Sequence, residues 1–148
     1  MKIYVGSDHN GFAYKQEIAD FLKRSGHEVI DDGDMQPDPA DDFPVFAGKV
    51  SHSILSDNDH TARGLLVCGS GQGMVMAANR FKGIRAALCW NLAEARSARN
   101  DDDCNVLVLS SSQMDMATCQ AVISTWLETP FAGADRFVRR IKEMDQLG

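Results

Sequence analysis

Short apolar runs recur along this chain, and stretches of helical period stand between them. Ile3-Tyr-Val5, Val29-Ile30, Leu65-Leu-Val67, Ala86-Ala-Leu88 and Val106-Leu-Val-Leu109 each have Gly, Asp, Asn or Arg on one side, which is the pattern of buried strands. Strands are predicted at Lys2 to Gly6, Glu28 to Asp31, Gly64 to Val67, Arg85 to Cys89 and Asn105 to Leu109. Between the first two, Tyr14, Ile18, Phe21 and Leu22 share one helical face that Ser25-Gly26 ends. Further helices are predicted from Val45 to Ser56, Met74 to Arg80 and Leu92 to Asn100, and through Met116, Cys119, Ile123, Trp126 and Leu127 to the stop at Pro130. Strand and helix alternate throughout, so the fold class is α/β, a parallel sheet of five strands with helices on both faces. Asp31 to Pro44 reads as a long polar loop, either a surface excursion or an active-site wall. In the tail, Asp135 to Leu147, the residues Phe137, Ile141 and Met144 recur at helical spacing, which predicts a docking helix that packs on a partner subunit. Arg136 and Arg140 stand one turn apart beside that stripe and fit a solvated face as well as an anion-binding pair.

A length of 148 residues fits one domain spanning 1–148. A formal net charge of −6 argues against a nucleic-acid or anionic-membrane surface, so any positive charge for an anion must be local. No stretch approaches a membrane span, and Met1 to Gly6 reads as a strand instead of a signal peptide, which leads to the expectation of a cytoplasmic protein. Cys68, Cys89, Cys104 and Cys119 are scattered without a Cys-x-x-Cys pair, which argues against a zinc site and gives no support to a disulfide framework.

The chemistry concentrates where the third strand runs into Cys68-Gly-Ser-Gly-Gln-Gly73. Alternating glycines let backbone N–H groups turn toward an anion at the start of a helix. A thiol held there is expected to have a depressed pKa and to be reactive; the plainer reading makes Cys68 a small buried residue ending a strand. Ligands of open parallel sheets bind beyond the carboxyl ends of the strands. That rule gathers Asp8 and His9 after the first strand, Cys68 and Ser70 after the third, and the segment Asp41-Asp42-Phe43-Pro44 into one cleft. His27, His52 and His60 are expected at the surface. The glycine spacing is not that of a dinucleotide fingerprint, the Lys-Ser/Thr of a nucleotide loop is missing, and no arginine follows Cys68 as a cysteine phosphatase would need.

These segments resemble the sugar-phosphate isomerases of the type B ribose-5-phosphate isomerase and galactose-6-phosphate isomerase group. The resemblance spans nearly the whole chain and is carried by Gly6-Ser-Asp-His-Asn-Gly-Phe12, Asp42-Phe-Pro44, Val67-Cys-Gly-Ser-Gly-Gln-Gly-Met74, Ala77-Ala-Asn-Arg-Phe-Lys-Gly-Ile-Arg-Ala-Ala87, Asn105-Val-Leu107 and Thr129-Pro-Phe131. It implies a Rossmann-like fold, a homodimer or dimer of dimers with a shared active site, a phosphosugar substrate, and no metal or organic cofactor. It further implies Cys68 as the base that moves a proton between C1 and C2 through an enediolate, with the amides of Gly69, Gly71, Gln72 and Gly73 as the cradle and Ser70 as a proton relay. By the same resemblance Asp8 orients substrate hydroxyls, His9, Arg136 and Arg140 hold the phosphate, and Asp42 and Asn79 line or support the site.

The chain also departs from that group. Asp101-Asp102-Asp103 stands where the ribose-phosphate enzymes usually have His-Asn-Asp, so Asp101 occupies the place of the ring-opening histidine. A carboxylate accepts the anomeric proton but is a poor acid for the ring oxygen at neutral pH. Acids at a helix C-terminus are unfavourable by roughly 0.3–1 kcal/mol each. The substrate is then ribose 5-phosphate, a sugar phosphate that needs no ring opening, or another pentose or hexose phosphate whose hydroxyls pair with Asp101 and Asp102; the plainer alternative points Asp102 and Asp103 to solvent. Phe43 stands where tyrosine is frequent, and aligning Arg136 and Arg140 requires one inserted residue, without which Arg139 takes one of their places. A non-catalytic phosphosugar-binding subunit is the second class of function that the departures allow, and a cysteine hydrolase the third.

Overall fold

In the computed structural model, which describes residues 1–147, strands and helices alternate from end to end. They are β1 (Lys2–Ser7), α1 (Phe12–Arg24), β2 (Glu28–Asp31), α2 (Phe43–Ser56), β3 (Arg63–Cys68), α3 (Gln72–Ala78), β4 (Ala86–Leu88), α4 (Leu92–Asn100), β5 (Val106–Ser110), α5 (Met116–Glu128) and α6 (Asp135–Met144). The five strands form one parallel sheet in the order β2-β1-β3-β5-β4, with Gly6 opposite Leu66 and Cys68 opposite Ser110.

Side chains alternate across a strand, so apolar runs serve a sheet covered on both faces. Ile3, Val5, Leu65, Val67, Leu107 and Leu109 point to one face, where α1, α4 and α5 supply Ile18, Leu22, Ala95, Ile123 and Trp126. Tyr4, Leu66, Cys68, Val106 and Val108 point to the other, against Phe46 and Val50 of α2 and Met74 and Ala78 of α3. The sheet is therefore doubly wound. From β1 the chain goes to β2 on one side and returns as β3 on the other, so the crevice at the carboxyl ends of β1 and β3 is the topological switch point, where ligands of such sheets bind.

All five predicted strands are present, β2 with the predicted ends and the other four with ends shifted by one residue. Cys68 is the last residue of β3, paired with Ser110 of β5, one residue beyond the predicted end of that strand. Helix α2 starts two residues earlier than predicted because Pro44 sits in its first turn, where its missing N–H has no intrahelical partner to lose. The exposed edge of β4 is sealed by Asn79. Its Nδ2 donates to Val75 O (3.0 Å) and Ala86 O (2.9 Å), and its Oδ1 accepts the Ala86 N–H (2.8 Å). This amide stands in for a neighbouring strand. Helix α6 packs thinly on its own chain: Phe137 is buried, Ile141 half-buried and Met144 exposed. Among the described residues, no helix is long and apolar enough to cross a membrane.

Candidate active site

Asp8 follows β1 directly and is turned inward. Its Oδ1 accepts the Gly11 N–H (3.1 Å) that closes a short 3-10 turn, and its Oδ2 accepts the Cys68 S–H (3.3 Å). The turn lies so close to β3 that a Cβ on Gly11 would fall 2.4 Å from Val67 O, so only glycine lets Asp8 reach the thiol. Both oxygens of Asp8 thus have an internal partner, and each keeps a further lone pair for a substrate hydroxyl.

The depressed Cys68 pKa expected from the glycine turn is not what the structure shows. Burial pushes the thiol up, and the charge and hydrogen bond of Asp8 add to that push, while the N–H groups of Gly71 and Ser70 oppose it. The thiol is aimed directly at the Asp8 carboxylate. Burial leads the rise of Cys89 to about 12, with the charges of Cys104 and Glu94 adding to it, and leads the rise of Cys104 and Cys119 to about 11.

His9 stands at the mouth of the crevice. Its Nδ1 bonds Asp41 Oδ1 at 2.5 Å, and that bond raises the histidine pKa against the opposing effect of burial, aided by the charges of Asp41, Asp8 and Asp38. Asp41 Oδ2 is buried without a partner. The partner of His9 is therefore Asp41, whereas Asp42, selected from the sequence, is exposed and begins α2 without a capping bond. Lys15 anchors the start of the loop that carries Asp41: fully buried, it donates to both Asp31 carboxylate oxygens (2.7 Å each) and to Asp34 O (2.9 Å).

The glycine turn completes this end. Gly71 adopts φ +79°, and a Cβ there would also meet Leu88 Cδ1 at 2.6 Å, so the position requires glycine on two counts. Ser70 is exposed, and its Oγ accepts the Gln72 N–H at 3.3 Å. Gly73 lies under the Phe43 ring, and Gly69 beside Asn10.

The remaining residues selected from the sequence lie at the opposite end of the sheet. Asp101 ends α4 just before β5 begins at Val106, whereas Cys68 pairs with Ser110 at the far end of β5. Four residues of strand alone separate the two ends by roughly 13 Å. Asn79 and Asp102 line a cavity of about 790 Å³ at that lower end, beside β4 and Met144 of α6. Arg136 and Arg140 are exposed on α6, with Arg136 stacked 4.3 Å from the centre of the Phe137 ring. Asp103 does not point freely to solvent. It bridges Arg85 and Arg99 at 2.8 Å each from a left-handed backbone (φ +47°), which compensates its charge at the helix end. Of the histidines expected at the surface, His52 and His60 are exposed, but His27 is half-buried with an unpartnered Nδ1, and burial lowers its pKa.

An inward thiol and carboxylate at the switch crevice of a parallel sheet, with a carboxylate-backed histidine at its mouth, equip an α/β enzyme to move protons on a small anionic ligand. The class has a family. Residues 3–144 match the family described as Ribose/Galactose Isomerase, and the chain belongs to it. It is 36% identical over 141 residues to the ribose-5-phosphate isomerase B of Mycolicibacterium paratuberculosis, covering 95% of this chain and 87% of that relative. The crystal structure of a ribose 5-phosphate isomerase from Thermotoga maritima superposes with a TM-score of 0.93 at 40% identity, covering 99% of this chain and 98% of that one. The ribose-5-phosphate isomerase B of Mycoplasma genitalium with bound ribulose-5-phosphate gives 0.92 at 36% identity, covering 98% and 94%.

Proposed function

We propose that this chain interconverts ribose 5-phosphate and ribulose 5-phosphate with Cys68 as the base. The observation that carries the reading is the Cys68 Sγ to Asp8 Oδ2 bond of 3.3 Å at the switch crevice. Asp8 takes the thiol proton as substrate displaces water, and the thiolate abstracts the proton from C2. The electron pair passes onto the carbonyl oxygen, giving an enediolate held by the backbone amides of Gly69 to Gly73. Ser70 relays a proton between the two sugar oxygens, Cys68 delivers the proton taken from C2 to C1, and Asp8 hands the thiol proton back to Cys68, so the cycle closes without net gain or loss. His9, as a cation, binds the phosphate.

The groups at the other end of the sheet belong to the same reading through a second copy of the chain. Asp101 stands at the opposite end of β5 from Cys68, Arg136 and Arg140 are exposed on α6, and α6 with the exposed apolar residues Met76, Trp90 and Leu92 offers a surface for a partner. A homodimer then completes each site, with the partner's arginines on the phosphate and its carboxylate on the anomeric hydroxyl. A soluble cytoplasmic location is part of this proposal.

The test is a panel of aldose phosphates of four, five and six carbons, following ketose formation and exchange of the C2 proton with solvent deuterium. Ribose 5-phosphate is expected to be turned over with deuterium entering the product. Turnover confined to another sugar reassigns the substrate and makes Asp101 a specificity residue; exchange with no sugar overturns the isomerase reading in favour of a binding subunit.

The pair at the crevice mouth makes a pH prediction. A raised pKa keeps His9 charged above its ordinary value of about 6.5, while a sugar phosphate becomes a dianion above about 6. KM is therefore expected to stay low through that window and to rise as pH passes the raised His9 pKa. Asp41→Asn removes the charge and leaves at most a neutral hydrogen bond, so the rise should begin at lower pH with kcat nearly unchanged. A KM profile identical to that of the unmodified protein would show that Asp41 does not set the charge of His9.

A further inference from the structure

Behind the glycine turn runs Ser110-Ser111-Ser112, at the end of β5, a triplet without a reading in the sequence. Each hydroxyl is spent on a main-chain carbonyl of the site. Gly69 O accepts from Ser110 Oγ (2.6 Å), Ser112 Oγ (2.7 Å) and Ser112 N (3.1 Å). Cys68 O accepts from Ser111 N (2.9 Å), and the single O–H of Ser111 is shared between Asn10 O (2.9 Å), in the turn that follows Asp8 and His9, and Cys68 O (3.2 Å). Ser110 is fully buried.

A trans peptide is planar, with its C=O and the following N–H pointing in opposite directions, and the chain contains no cis peptide. Fixing the Gly69 carbonyl therefore fixes the Ser70 N–H, and fixing the Cys68 carbonyl fixes the Gly69 N–H. Hydrogen bonds accepted by a carbonyl also polarise the N–H of the same peptide and strengthen it as a donor. A carbonyl with two lone pairs is normally satisfied by one or two partners, so three donors on Gly69 O exceed what folding needs.

We infer that Ser110, Ser111 and Ser112 are positioning residues: they clamp two successive peptide planes so that the N–H groups of Gly69 and Ser70 stand ready for negative charge on Cys68 and on the enediolate oxygen. Ser111 ties the Asp8 turn to the same clamp and keeps the proton acceptor in register with the thiol. The Ser70 N–H is already one of the two amides that act to lower the Cys68 pKa. The enediolate half of this inference rests on the isomerase reading; the thiol half does not.

The test compares Ser112→Ala, Ser110→Ala and the double variant with Ser112→Thr, which keeps the hydroxyl. Two quantities are read in the full-length protein: kcat and KM for ribose 5-phosphate, and the pH midpoint of Cys68 alkylation by iodoacetamide, followed by peptide mass spectrometry. The double variant is expected to lose about tenfold or more in kcat with KM changed less than about threefold. Its alkylation midpoint should rise by about one pH unit, since the thiolate loses oriented donors. Ser112→Thr should leave both near those of the unmodified protein. Wild-type kcat with an unmoved midpoint overturns the inference, as does a kcat loss that leaves the midpoint in place or that Ser112→Thr shares. Should the buried Ser110→Ala variant not fold, Ser112→Ala at its exposed position carries the same comparison. The alkylation midpoint needs no substrate, so it judges the clamp even if ribose 5-phosphate is not turned over.

Discussion

Cys68→Ala is expected to lower kcat on ribose 5-phosphate by about 10²–10⁴-fold, the usual contribution of a positioned general base. The variant carries a second effect that must be kept apart from the chemistry. Asp8 lies buried beside the thiol, and alanine leaves its Oδ2 without the Cys68 donor. An unsatisfied buried acceptor costs about 1–3 kcal/mol, so the alanine variant should also melt earlier. Cys68→Ser separates the two effects, because its hydroxyl can still donate to Asp8 while being far too weak an acid to serve as the base. Serine is therefore expected to keep the thermal midpoint near that of the unmodified protein and to lose activity nearly as fully as alanine. Measured together, kcat and thermal midpoint decide the point: a serine variant with full turnover removes Cys68 from the mechanism, whatever the alanine variant does.

The fold was legible because both faces of its sheet are covered. Each strand presents apolar residues to two layers, so Leu65-Leu-Val67 and Val106-Leu-Val-Leu109 read as uninterrupted runs, and the helices between them carry a clear period. Chain order and the switch-point rule then placed Asp8, His9, Cys68 and Ser70 together. Three things were not legible. The upward direction of the Cys68 pKa follows from burial and from the Asp8 carboxylate behind it, both tertiary, and these outweigh the local glycine turn. The choice of Asp41 over Asp42 depends on the path of the loop from Asp32 to Asp42, which the buried Lys15 pins at its start. The serines at 110 to 112 are polar residues of a common type, and nothing in their spacing announces that their partners are the carbonyls of Cys68 and Gly69.

The separation of the site residues into two ends leads to the other large expected effect. If two copies share each site, Cys68, Asp8 and His9 come from one chain and Asp101, Arg136 and Arg140 from its partner. Arg136→Ala/Arg140→Ala should then cost about 10²-fold or more in kcat/KM, since each charged hydrogen bond to phosphate contributes about 1.5–3 kcal/mol. Neither this variant nor Cys68→Ala should turn over substrate appreciably alone. A heterodimer of the two, isolated with distinct tags after co-expression, contains one site with both defects and one with neither, and it should recover about half the activity of the unmodified dimer. Placing all three substitutions on one chain and pairing it with an unmodified chain reverses the outcome. Each site then receives one defective half, so both fail, whereas a site built from a single chain would leave the unmodified partner active. The two heterodimers therefore predict opposite results for shared and unshared sites. Half activity in the cis combination with none in the trans combination would place Arg136 and Arg140 outside the partner's site and return the phosphate to His9 and its own chain.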